Sequence, residues 1–101
     1  MNTKLPILTI SVAAKLLGLH PRTIMLYERS GFLSPHRTTS NRRMFSINDL
    51  DALQFIKFLT RIRGINLQGV KTLLEAIAIA QKEGVHLKEL LFPTFKPKEL
   101  I

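Results

Sequence analysis

The sequence predicts a mainly α-helical fold of four helices with one small β-hairpin, and three observations predict it. Two short helical patterns meet at a tight turn between Ile10 and Gly31, punctuated by Gly18 and Pro21. Apolar residues recur at helical spacing in two longer stretches, Leu50–Ile62 and Leu67–Ile77. Between them, Phe32 to Arg43 has no helical period; it is rich in turn formers and carries arginines on both flanks.

Each element has a local cause. Leu8-Thr9-Ile10 is β-prone, and Ser11 offers an N-cap for a helix over Val12–Leu17, with Val12, Ala13, Leu16 and Leu17 available for burial. Gly18 ends that helix, because glycine accepts the left-handed conformation at the position after a helix, and Leu19 plugs the turn. Pro21 suits the first helical position, where its missing N–H costs nothing. The second helix then runs to about Ser30 and stops at Gly31. Ile24 with Tyr27, or Ile24 with Leu26, faces inward, while Arg22, Thr23 and Arg29 face outward.

Pro35, Thr38, Thr39, Ser40 and Asn41 suit a hairpin with Arg37 entering and Arg42-Arg43-Met44-Phe45 leaving. It has no glycine at the tip, so the loop exceeds two residues or uses Asn41. Ser46 and Asp49 form a capping box for the third helix, whose apolar row is Leu50, Leu53, Ile56, Leu59 and Ile62, with Phe55 and Phe58 in a second row. Gly64 stops it. Asn66 caps a fourth helix over Leu67–Glu83 with Leu67, Val70, Leu73, Leu74 and Ile77 inward, and Gly84 ends it. Val85–Phe92 allow one or two more helical turns, and Pro93 and Pro97 bracket a basic tail that is expected to pack poorly. The organisation expected is therefore a winged helix-turn-helix over residues 8–84, followed by a short helical turn and tail over 85–101. A winged helix-turn-helix is a device for placing one helix in the major groove of DNA.

Composition narrows the function. Among 101 residues there is no cysteine, which removes disulfides, thiolate metal sites and thiol catalysis together. His20, His36 and His86 have no metal-ligand spacing, and the acids pair with no histidine or serine in a catalytic pattern; neither an enzyme nor a cofactor is expected. No apolar run reaches membrane-span length, and no segment directs export, so a cytoplasmic location and no membrane partner are expected. Net charge is +8. It is concentrated: residues 1–63 hold ten of the fifteen basic side chains, including all seven arginines, against three acids. Arginine forks fit phosphates and guanine edges, so the partner expected on charge is nucleic acid rather than anionic lipid.

A ribbon carrying Arg37, Arg42 and Arg43 can lie along a phosphate backbone. Tyr27 either gives its hydroxyl to a phosphate or is a core tyrosine. His20 and His36 can touch phosphate or be solvated. Phe55 and Phe58, with the Leu87, Leu90, Leu91, Phe92 cluster, are core or a contact surface for another chain.

Together the stretches Ile10-Ser11-Val12-Ala13-Ala14 to Gly18, Thr23-Ile24-Met25-Leu26-Tyr27-Glu28, Gly31-Phe32-Leu33, Arg43-Met44-Phe45-Ser46, Asp49-Leu50 and Gly64-Ile65-Asn66-Leu67-Gln68-Gly69-Val70 resemble the N-terminal domain of the mercury-resistance-regulator (MerR) family of bacterial transcription regulators. The likeness is nearest to its heat-shock-repressor branch and covers about residues 8–80. It implies a homodimer on an inverted-repeat promoter site, with contact to RNA polymerase possible, repression favoured over activation, and a place at the bacterial nucleoid. It also implies that Arg22 and Thr23 approach bases, that Tyr27 and Arg29 meet phosphates, that Arg37, Arg42 and Arg43 are wing contacts, and that His20 stands at a cap position commonly held by Ser or Thr. The family's long dimerisation helix is expected to be missing or truncated here, since only Val85–Phe92 precede Pro93. Two alternatives stand beside this reading: a protein-interaction module on the same scaffold, and an excisionase-like factor that acts by bending DNA.

Overall fold

A computed structural model describes residues 2–101. Its order is β1 (Leu8–Thr9), α1 (Ile10–Leu17), α2 (Pro21–Arg29), β2 (His36–Arg37), β3 (Arg43–Phe45), α3 (Ile47–Lys57), α4 (Leu67–Lys82) and α5 (Leu87–Leu91). The fold is mainly helical with a small wing, as the sequence predicts, but the wing has three strands in the order β1-β3-β2. Leu8 pairs with Phe45 and Thr9 with Met44 on one side of β3, while His36 and Arg37 face Met44 and Arg43 on the other. At the tip Asn41 takes a φ of 64°, its N–H donating to Thr38 O at 2.8 Å.

Recruitment of β1 moves the start of α1. Thr9 closes the strand in extended backbone and becomes the N-cap, its Oγ1 accepting from Val12 N at 3.3 Å. Ser11, the cap expected from sequence, is therefore inside the helix, and Val12 is exposed while Ala13, Ala14 and Leu17 are buried. Gly18 ends α1 at φ 65°, as expected, and Leu19 N reaches back to Ala14 O at 3.0 Å. The Ser46–Asp49 capping box of α3 is formed in both directions, at 3.1 and 2.9 Å.

Beyond Lys57 the third helix widens into a π-helical turn over Phe58–Ile62, with Arg63 N donating to Phe58 O at 3.0 Å. Such a turn holds one extra residue and shifts the phase of the side chains after it. Leu50, Leu53, Ile56 and Leu59 keep to the buried row, but Ile62, expected to continue it, is 74% exposed.

The core lies between α1, α2, α3, the start of α4 and the β3 side of the sheet, with Phe45, Ile24, Leu50, Leu53, Ile56, Leu59 and Val70 fully buried. The segment after α5 corrects a second expectation: it packs. Phe92 meets Phe55 and Phe58 edge-on with centroids at 5.7 and 5.6 Å, and Phe95 lies 4.9 Å from Phe58. Gln54 then fixes the chain by accepting from Lys98 N at 2.8 Å and donating to Lys98 O at 2.9 Å. Phe55 is thus a core residue and Phe58 a half-buried one packed against the core, both covered by their own chain. No helix among the described residues is long and apolar enough to cross a membrane.

Candidate nucleic-acid interface

The start of α2 is set by its own first residues. His20 is extended, Pro21 occupies the first helical turn, and His20 Nδ1 accepts from Arg22 N at 3.0 Å. That bond requires an unprotonated Nδ1, so the proton of the neutral ring sits on Nε2 at an exposed position. Histidine here caps as Ser or Thr would, and still has a donor to offer outward.

Along α2, Ile24 and Tyr27 turn into the core while Arg22 and Arg29 stay exposed and Thr23 is half-buried. Of the two inward pairs open from sequence, Ile24 with Tyr27 is the one formed. Leu26 instead lies outward, 37% exposed. Arg22, Leu26 and Arg29 follow the i, i+4, i+7 spacing of one helix face, so the outer face carries an apolar side chain between two guanidinium groups that are not ion-paired among the described residues. The spacing was in the sequence; what hid Leu26 was the equal plausibility of an inward leucine.

Tyr27 is 3% exposed, and its hydroxyl lies 3.3 Å from Thr60 Oγ1. Thr60 has one proton, and Ile56 O and Lys57 O stand within reach of it at 3.0 and 3.2 Å. Tyr27 therefore donates to Thr60, the arrangement of a core tyrosine rather than of one presented to a phosphate.

The wing is tied to α2 by one carboxylate that sequence reasoning passed over. Arg37 and Arg43 face each other across β2 and β3, a juxtaposition of like charges that repel. Glu28 projects from the last turn of α2 and resolves it: Oε2 accepts from Arg37 Nη2 at 2.9 Å and Oε1 from Arg43 Nε at 2.5 Å. Partial burial pushes the Glu28 carboxyl up, but the hydrogen bonds from Arg43 and Arg37, and then their charges, outweigh it and hold the group below its ordinary value. Arg37 also donates Nη1 to Asn41 O at 3.2 Å, bracing the tip. Arg43 is held through Nε alone, and its two terminal amino groups have no partner among the described residues. Arg42 and His36 are exposed, and neither is ion-paired among the described residues.

The structure thus brings α2 and the wing into one unit. Arg22, Arg29 and Arg42 are exposed cations, Arg37 and Arg43 are oriented cations, His20 stands at the mouth of the turn, and Tyr27 lies beneath. A second residue not foreseen is Lys57, whose Nζ donates to Leu17 O at 2.6 Å and caps the end of α1 from α3. Neither Glu28 nor Lys57 has a local sequence signal, because their partners lie 9 and 15 residues away in one case and 40 in the other.

Residues 8–77 match the family model described as "MerR HTH family regulatory protein". The chain belongs to the MerR HTH family. It is 44% identical over 70 residues, 69% of its length, to a putative heat shock protein HspR of Streptomyces coelicolor. It is 40% identical over 84 residues, 83% of its length, to the HTH-type transcriptional regulator GlnR of Bacillus anthracis. An uncharacterized HTH-type transcriptional regulator, slr0701 of Synechocystis, is 37% identical over 68 residues, 66% of its length. The matched segments span 46%, 64% and 49% of those proteins. Likeness to both HspR and GlnR broadens the heat-shock-repressor resemblance to the MerR family as a whole. The family model is described as one of regulatory proteins, and GlnR and slr0701 carry the names of HTH-type transcriptional regulators.

Proposed function

We propose that this MerR-family chain is a transcription regulator that binds double-stranded DNA through α2 and the wing. In this reading residues 8–84 form the DNA-binding unit. Arg22 and Thr23 approach base edges in the major groove, with Leu26 beside them as an apolar contact for a thymine methyl. Arg29, Arg42 and His20 take phosphates. Arg37 and Arg43 hold the wing against α2, and the free amino groups of Arg43 add a phosphate contact already oriented by Glu28. Tyr27 contributes by packing under α2.

One observation carries this reading: the free arginine face of α2 and the arginine ribbon are joined through Glu28, so both can engage one duplex together. A homodimer on an inverted repeat, repression over activation, and a contact with RNA polymerase are finer parts of the same proposal, supported by family membership.

The test is titration of mixed-sequence duplex at about 50 and 200 mM salt, followed by selection of bound sequences with half-site spacing recovered. The three charged phosphate contacts, from Arg29, Arg42 and Arg43, predict a roughly 40-fold loss of affinity over that range. Salt-independent, negligible binding refutes the proposal and favours the protein-interaction module, which the burial of Phe55 already deprives of a surface residue. Strong bending with no effect on transcription in a promoter assay favours the excisionase-like reading.

A further inference from the structure

The segment Thr94–Leu100, fixed by the two Gln54–Lys98 hydrogen bonds, does more than cover Phe55 and Phe58. With α1 and the π-helical turn it lines an open cleft of about 450 Å³, within the ~300–1,000 Å³ range of small-molecule sites. Leu17 and Phe95 form part of an apolar wall, and Lys57, Arg61, Lys96 and Lys98 supply four cations. Among the described residues no acidic side chain lines it. Four cations around an apolar hollow without a counter-charge repel one another, and the partner that relieves them brings both a negative end and an apolar body.

We propose that this cleft binds an amphipathic carboxylate: an aliphatic or aromatic body against the leucine and phenylalanine wall, and one carboxylate among the lysines and Arg61. A duplex phosphate rail does not satisfy the cleft, since its apolar floor offers nothing to a fully hydrated backbone. Lys57 connects the site to the helix-turn-helix. Its ammonium has three donors, one of them already on Leu17 O, and it lies 3.4 Å from where a Cβ on Gly18 would stand. A bound carboxylate draws on the same ammonium, so occupancy is felt at the α1–α2 turn that orients Arg22. The binding site stands on the cleft alone; its regulatory consequence rests on the DNA-binding reading above.

The probe is sodium decanoate, kept below its micelle-forming concentration and titrated into the ¹⁵N-labelled full chain, with acetate and decyltrimethylammonium as controls. Saturable 1:1 shifts at Leu17, Gly18, Phe95 and Lys96 are expected, with no matching response to either control. The double variant Arg61→Glu/Lys96→Glu changes two exposed side chains; it is expected to unfold as the parent does and to bind decanoate at least tenfold more weakly. Absence of saturable shifts, an equal response to the cationic detergent, or undiminished binding by the double variant overturns the proposal. So does loss of DNA affinity in that variant without any decanoate binding by the parent, which assigns these cations to duplex phosphates. Decanoate is then expected to lower DNA affinity, and DNA to lower decanoate affinity by the same factor. Decanoate binding with unchanged DNA affinity overturns the regulatory half. Decanoate binding by a chain that fails to bind DNA supports the site while refuting the DNA reading.

Discussion

Glu28 on α2 and Arg43 on β3 form an ion pair that fastens the wing to the second helix of the helix-turn-helix. The pair does two things at once. It offsets the repulsion between Arg43 and its cross-strand neighbour Arg37, and it leaves the terminal amino groups of Arg43 without a partner among the described residues. Replacing Glu28 by Gln keeps the shape and removes the charge. Stability is expected to fall by about 1 kcal/mol, since all three side chains are part-exposed and solvent screens the pair. Affinity for random duplex is expected to rise, because a negative charge leaves the interface, while preference for a selected operator falls. Unfolding in urea and paired binding isotherms read both, and unchanged preference would show that the wing needs no fastening.

The same carboxylate gives stability a pH dependence. Its folded-state value lies below the ordinary 4.5, so the unfolded chain takes up the proton first as pH falls. The Glu28 contribution is therefore complete above the unfolded value and is lost as pH drops through the folded one. Urea midpoints measured downward from pH 6 are expected to fall less steeply for Glu28→Gln than for the parent.

Arg22 and Arg42 are both exposed but do different work in the proposed complex. Arg22→Ala is expected to cost about 1–3 kcal/mol on a selected operator and much less on random duplex. Arg42→Ala is expected to weaken both alike and to flatten the salt dependence by about one unit of slope. Fluorescence anisotropy with the two duplexes at several salt concentrations separates them. Equal losses for Arg22→Ala would remove it from base reading.

Tyr27→Phe tests which of its two possible roles the tyrosine has. Losing the hydrogen bond to Thr60 is expected to cost about 0.5–1.5 kcal/mol of stability. The salt slope of DNA binding is expected to stay as it is, whereas a shallower slope would reveal a phosphate contact made in the complex.

Phe92 measures how much the covering segment matters. It is buried against Phe55 and Phe58, and truncation to Ala is expected to cost about 3 kcal/mol. Half-buried Phe95 is expected to cost less. A loss below 1 kcal/mol for Phe92→Ala, in thermal or urea unfolding, would mean that the segment is a loose attachment.

The sequence alone determined the punctuation of this protein. Gly18, Pro21, Ser46 with Asp49, Asn66 and Gly64 act within a turn of where they stand, through a left-handed φ, a missing N–H or a side chain closing on the backbone three residues ahead. The inward pairing of Ile24 with Tyr27 was legible as one of two options, and the outward Arg22 and Arg29 came with it. Tertiary structure decided what depended on distant partners. Leu8 became a strand because Phe45 was there to pair with it, and so the cap of α1 moved from Ser11 to Thr9. One π-helical turn swung Ile62 out of its row, and Phe95, within a proline-bracketed tail that had no local reason to pack, came to lie against Phe58. Glu28 found Arg37 and Arg43 only once the wing had folded back beside α2. Capping and periodicity act between near neighbours, so a linear chain displays them; pairing, phase shift and charge matching arise only when the path of the backbone brings remote residues together.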